Sequence, residues 1–276
     1  MATVSVATHA FVSLFEAARA CLAADRDEQK LELTTVVAEA WRAGLLPTNG
    51  QDSAIAPCQP GLPPGLRLVS PRDVPKRKLR NRTGQAAFVH AIAHIEFNAI
   101  NLAWDCVYRF RGLPSPFYDD WIAVVQDEAR HFALLRERLG ELGFAYGDFE
   151  GHAGLWEMAE KTGHDLAARM AMVPRVLEAR GLDVTPRLIQ RCRAVGDERT
   201  AGILQVILEE EVTHVAAGSR WFRWACERQG KDPEAAFCEL VGRYFAGAIR
   251  GPLNAAARRR AGFSPTELAA LSALAR

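Results

Sequence analysis

Apolar positions recur along this chain with the spacing of helices and almost never with that of strands. Val89, Ile92, Ala99, Ala103 and Val107 form one stripe at i, i+3, i+4 spacing. Trp121, Val125, Phe132, Leu135 and Leu139 form a second, and Leu204, Ile207, Gly218 and Trp221 a third. Turn and cap signals bound these stripes. They predict helices over about 84–111, 117–142, 155–180 and 198–229, with amphipathic helical segments before them over 8–44. Lys231-Asp232-Pro233 opens a C-terminal helix, and Ser264-Pro265 caps a last short one. Alternating Val/Ile/Thr runs are absent, so the expected fold class is all-α, with four long helices at its centre.

Breakers divide the chain further. Residues 47–72 hold Pro47, Pro57, Pro60, Pro63, Pro64 and Pro71 and read as a long surface-draped connection. Thr83 is the candidate N-cap of the first long helix. Pro174 is expected to kink the third helix, and the run Gly181 to Pro186 to end it, leaving a short helix over 186–194. The expected organisation is a single domain over 1–276. It comprises an N-terminal helical segment (1–45), the Pro-rich connection (46–83), a four-helix core (84–230) and C-terminal helices (231–276).

Each stripe of the core is interrupted by residues that do not belong in a core. Glu128 and His131 form a Glu-x-x-His pair on the second helix, and Glu211 and His214 form another on the fourth. Residues three apart project from one helical face, so each pair can offer an oxygen and a nitrogen to one metal ion. Glu96 interrupts the first stripe. A buried carboxylate costs several kcal/mol unless paired or metal-bound. The two halves repeat: Glu96 to Glu178 spans 82 residues, and Glu128 to Glu211 and His131 to His214 each span 83. Glu157 and Glu160 compete with Glu178 but break the repeat, while Glu178 sits only three residues before Gly181. One Glu from each of two helices, with Glu-x-x-His from each of the other two, is the ferritin-like di-metal carboxylate pattern. Four carboxylates balance two divalent ions. Mixed oxygen and nitrogen donors without thiolates suit iron or manganese.

Composition trims the alternatives. Thirty-four basic and 33 acidic side chains give a net charge of +1, which argues against a nucleic-acid coat. Six cysteines without a C-x-x-C pair argue for reduced thiols and a cytoplasmic setting. No run of 18 apolar residues predicts a membrane span. His94 and His164 are candidates for outer-shell partners of the ligands. Tyr118, Trp104 and Trp121 read as core packing, and the basic run Lys76 to Arg82 as a solvated face or a helix-terminus charge.

The segments His90 to Ile100, Asp127-Glu-Ala-Arg-His-Phe132, Pro174 to Pro186, and Glu210-Glu-Val-Thr-His214 with Gly218-Ser-Arg-Trp-Phe222 resemble the ferritin-like family DUF455. The likeness runs from about Pro60 to the C-terminus. It implies a ferritin-like bundle with a di-metal site and supports Glu178 through its Glu-Ala-Arg-Gly context, but implies no substrate. A more distant likeness, carried by Glu-Ala-Arg-His and the ligand pattern, is to the di-iron hydroxylase of a modified tRNA adenosine. The resulting expectation is a protein with two iron (or manganese) ions held by Glu96, Glu128, His131, Glu178, Glu211 and His214. It would activate O2 and oxidise a small molecule, with an unidentified electron donor. The alternatives are a non-enzymatic metal-handling protein and a tRNA hydroxylase. A dimer is compatible with the sequence.

Overall fold

A computed structural model describes residues 11–48, 58–70, 73, 79–244 and 252–274. Among these every regular element is a helix, and the chain is all-α. None of the helices is long and apolar enough to cross a membrane. The chain divides into two compact units, Met1–Ala153 and Gly154–Arg276.

The first unit is built on an antiparallel pair, α3 (Arg82–Arg109) and α4 (Ser115–Glu141), with α1 (Leu14–Ala23) packed on α3 and α2 (Asp27–Arg42) on α4. The N-cap of α3 is Asn81, whose Oδ1 accepts from Gly84 N at 2.8 Å, so the helix starts two residues before the Thr83 expectation allows. Asn outranks Thr as an N-cap. Arg82 then donates to the carbonyls of Glu141 and Leu142, both at 2.8 Å, and so caps the far end of α4. That is a helix-terminus role for one member of the basic run; Lys76, Arg77 and Lys78 lie outside the described residues. Lys30 does the same for α1. Its buried ammonium donates to the carbonyls of Cys21 and Leu22 at 2.8 and 2.9 Å, and burial pulls its pKa down to about 7.

The Pro-rich connection is not merely draped over the surface. Gly61 donates to Leu22 O at 2.9 Å, and a Cβ there would strike the carbonyl of Ala24. Further on, Leu68 and Gly151 form an isolated parallel bridge that ties the connection to the loop after α4.

The second unit runs α5 (Gly154–Lys161), α6 (Leu166–Met172), a π-helical segment (Val173–Glu178), α7 (Arg180–Ala194), α8 (Glu198–Arg228), α9 (Pro233–Tyr244), α10 (Ala255–Arg260) and α11 (Pro265–Ala273). The long helix α8 packs against α6, the π segment and α7. The predicted third helix differs in two ways. It breaks early, between Lys161 and Leu166, where Asp165 caps α6 by accepting from Ala167 N at 3.0 Å. It then runs through Gly181 and Pro186 without stopping, where the sequence predicted an end. Pro186 has no N–H, which orphans the carbonyl of Leu182 four residues back. Asn254, 72 residues away, donates its Nδ2 to that carbonyl at 3.1 Å. Arg258 fixes the same turn through a buried ion pair with Asp183 at 2.7 Å. Pro174, expected to kink the helix, sits inside a π-helical segment, itself a common site of helix kinks.

Candidate metal centre

In the first unit Glu96, on α3, meets Glu128 and His131, on α4. His131 Nδ1 lies 3.2 Å from Glu96 Oε2 and 3.5 Å from Glu128 Oε2. All three residues are buried, with exposures of 5, 2 and 0%. One donor atom from each lies within 4.8 Å of the other two. The facing stripes of α3 and α4 explain the burial: the three residues occupy positions that the apolar period reserves for the core.

The electrostatics follow from that burial. Desolvation, and then the neighbouring Glu128 carboxylate, push the Glu96 pKa from 4.5 up to about 8. Burial alone would lower His131, but hydrogen bonds to Glu128 and Glu96 and their charge outweigh it and raise its pKa to about 11. Two carboxylates in a dry pocket thus recruit a cation, and in the metal-free chain the imidazolium serves. A divalent ion would do so better and would release the protons. The donor set of two carboxylates and one imidazole fits a first-row divalent metal.

An aromatic cluster adjoins these residues in sequence. Phe97 and Phe132, next in sequence to Glu96 and His131, contact each other at 5.3 Å between centroids, and both contact Tyr146 at 5.3 and 4.9 Å. Tyr146 comes from the loop after α4, and nothing in that loop's pattern singled it out. Its hydroxyl is 2.8 Å from His94 Nδ1, and burial pushes the phenol up. His94 Nε2 lies 3.1 Å from the His152 carbonyl, and a Cβ on Gly151 would come within 2.5 Å of that nitrogen. Asn98 Nδ2 lies 3.2 Å from the same nitrogen, so the His94 ring joins Tyr146, Asn98 and the His152 carbonyl. His94 therefore anchors the Tyr146 ring. His164 is exposed, with Nε2 3.4 Å from the Tyr244 hydroxyl.

In the second unit Glu211 and His214 lie on α8, with Nδ1 3.2 Å from Oε2, and are 8 and 2% exposed. Glu128 and Glu211 each stand thirteen residues after the first residue of their helix, so the Glu-x-x-His pairs share a helix position. Glu178 is half-buried at the end of the π segment and belongs to none of the donor groups that converge within 4.8 Å. One turn on, a Cβ on Gly181 would touch Glu211 Cγ at 3.8 Å, so α7 passes beside Glu211. Arg130 pairs with Asp127 on the surface at 2.7 Å, and Arg169 donates to Thr162 and Ala159. All six cysteines are free thiols.

The family described as "Protein of unknown function (DUF455)" matches residues 23–269. A protein of Haemophilus influenzae, described as "Uncharacterized protein", is 47% identical over 208 residues, which cover 73% of this chain and 72% of the relative. No solved structure matches. With a family match over most of its length and a relative this similar, the chain belongs to the DUF455 family.

Proposed function

We propose that this is a ferritin-like dinuclear metal carboxylate protein with iron or manganese at Glu96, Glu128, His131, Glu178, Glu211 and His214, acting as an O2-dependent oxidoreductase on a small organic substrate. The observation that carries it is the buried convergence of Glu96, Glu128 and His131. A Glu-x-x-His pair at the same helix position in the second unit supports doubling the site. The two halves are joined in this proposal on the sequence repeat. When bound, the metal pair would supply the electrons that reduce O2.

The chain's own part is separable from that chemistry. Four carboxylates neutralise the charge of two divalent ions. Glu96, Glu128 and His131 are buried away from bulk water, which would strengthen the hold of the carboxylates on a cation. His131, a ligand in this reading, would have to shed a proton to bind a metal beside Glu96 and Glu128.

The test is anaerobic loading with ferrous iron followed by admission of O2, with the absorbance and the oxygen consumed followed in time. Stoichiometric oxygen uptake that disappears in Glu128→Ala is expected. Metal uptake without reaction toward O2 would favour the metal-handling alternative.

A further inference from the structure

The π-helical segment that ends at Glu178 is held on several sides within its own unit. A Cβ on Gly218 would lie 2.5 Å from the Pro174 ring, so α8 meets the segment at backbone distance there. The next residue, Arg175, is 1% exposed and enclosed. Its guanidinium lies 4.7, 4.4 and 4.5 Å from the ring centroids of Phe222, Phe237 and Phe263, contributed by α8, α9 and the turn before α11. It donates to Glu267 Oε2 at 2.6 Å and to Ser219 Oγ at 3.1 Å. Glu267 is itself fixed, because the same oxygen accepts from Ser264 N at 2.9 Å in the capping box of α11. The Arg175 carbonyl accepts from Arg258 at 3.3 Å.

A buried ion pair is a poor way to add stability, since an apolar filler of the same size often does as well or better. What it does add is a single permitted geometry. A π turn is the less favourable winding of a helix and persists where its surroundings over-determine it. If the segment relaxed to α-helix, the residues at its end would rotate by up to about 100°, the turn per residue of an α-helix. We propose that Arg175 is a positioning residue that locks the π winding of Val173–Glu178 and thereby sets the direction of the Glu178 carboxylate, with α9, α10 and α11 as its clamp. This rests on the reading of Glu178 as a metal ligand.

The test is ferrous iron binding to the metal-free full chain under anaerobic conditions, with affinity and equivalents measured for the wild type, Glu178→Gln, Arg175→Met, and the pair combined. Removing a residue that supports a ligand costs on the order of 10- to 100-fold in metal affinity. Both single variants are expected to weaken one metal equivalent by that factor, and the double variant to be no worse than Glu178→Gln alone. Glu267→Gln keeps the shape and removes the charge that holds the guanidinium. The same non-additivity is required of it, so an unfolded Arg175→Met does not end the test. If Glu178→Gln weakens binding while Arg175→Met and Glu267→Gln leave it alone, or if their effects multiply with it, Arg175 is only structural. If Glu178→Gln leaves binding unchanged, the ligand reading of Glu178 fails and the inference falls with it.

Discussion

Gly202 and Gly218 lie on the same helix, and replacing each with alanine should give opposite results. In an unconstrained helix Ala is favoured over Gly by about 1 kcal/mol. At Gly202, exposed and with nothing within 4 Å of the added Cβ, that gain should be realised. At Gly218 the Cβ would lie 2.5 Å from both Cβ and Cγ of Pro174, about 1 Å inside ordinary contact. The proline ring cannot rotate aside, and Arg175 anchors the residue that follows it. Strain at the upper end of the overpacking range, about 3 kcal/mol, less the helical gain, leaves a net loss of about 2 kcal/mol. For a chain of this size each kcal/mol moves the melting temperature by roughly 2–4 °C. Gly218→Ala should therefore melt about 4–8 °C lower than the parent and Gly202→Ala about 2–4 °C higher, read by circular dichroism at 222 nm. A Gly218→Ala variant as stable as the parent would refute the close approach of α8 to Pro174, and with it the packing that supports the π segment.

Three other outcomes follow from the geometry. In the metal-free chain Glu96 and His131 both have pKa values raised above their unfolded values of 4.5 and 6.5, to about 8 and about 11, so the folded state holds the extra protons. Urea unfolding in chelator should show stability greatest at low pH within that window and falling as pH rises from about 5 through 8 and beyond; a rise with pH would contradict the assignment, and Glu96→Gln should flatten the lower part of the curve. Tyr146→Phe keeps the ring packing but leaves His94 Nδ1 without the phenol, which should cost about 1–3 kcal/mol in urea unfolding with metal equivalents unchanged. Asn254→Ala should cost a similar amount by orphaning the Leu182 carbonyl, and Pro186→Ala in the same chain should recover part of it by restoring a backbone donor, a rescue that thermal melts would reveal or exclude.

The helices α3, α4 and α8 were legible because their apolar stripes are long and turn residues bound them. The ligand candidates of the first unit were legible for the converse reason: charged residues stood in core registers, and Glu96, Glu128 and His131 do converge. Gly181 and Pro186 misled because local rules read a glycine followed by a proline as a helix end, whereas the helix runs through both. The side chains that hold this turn, Asn254 at the Leu182 carbonyl and Arg258 at Asp183, lie tens of residues away. Glu178 stands three residues before Gly181, and α7 carries on past that glycine. Tyr146 and Arg175 were invisible for a related reason. One lies in an aperiodic loop, and the other is a buried cation whose aromatic cage is assembled from three separate stretches of chain.

The most direct measurement of the central claim is the metal content of the purified chain after stripping with chelator, anaerobic loading with ferrous iron and removal of unbound ion. The account predicts two equivalents per chain in the wild type and a clear loss in Glu128→Ala and in His131→Ala. Less than one equivalent per chain, unchanged when Glu128 is replaced, would contradict it.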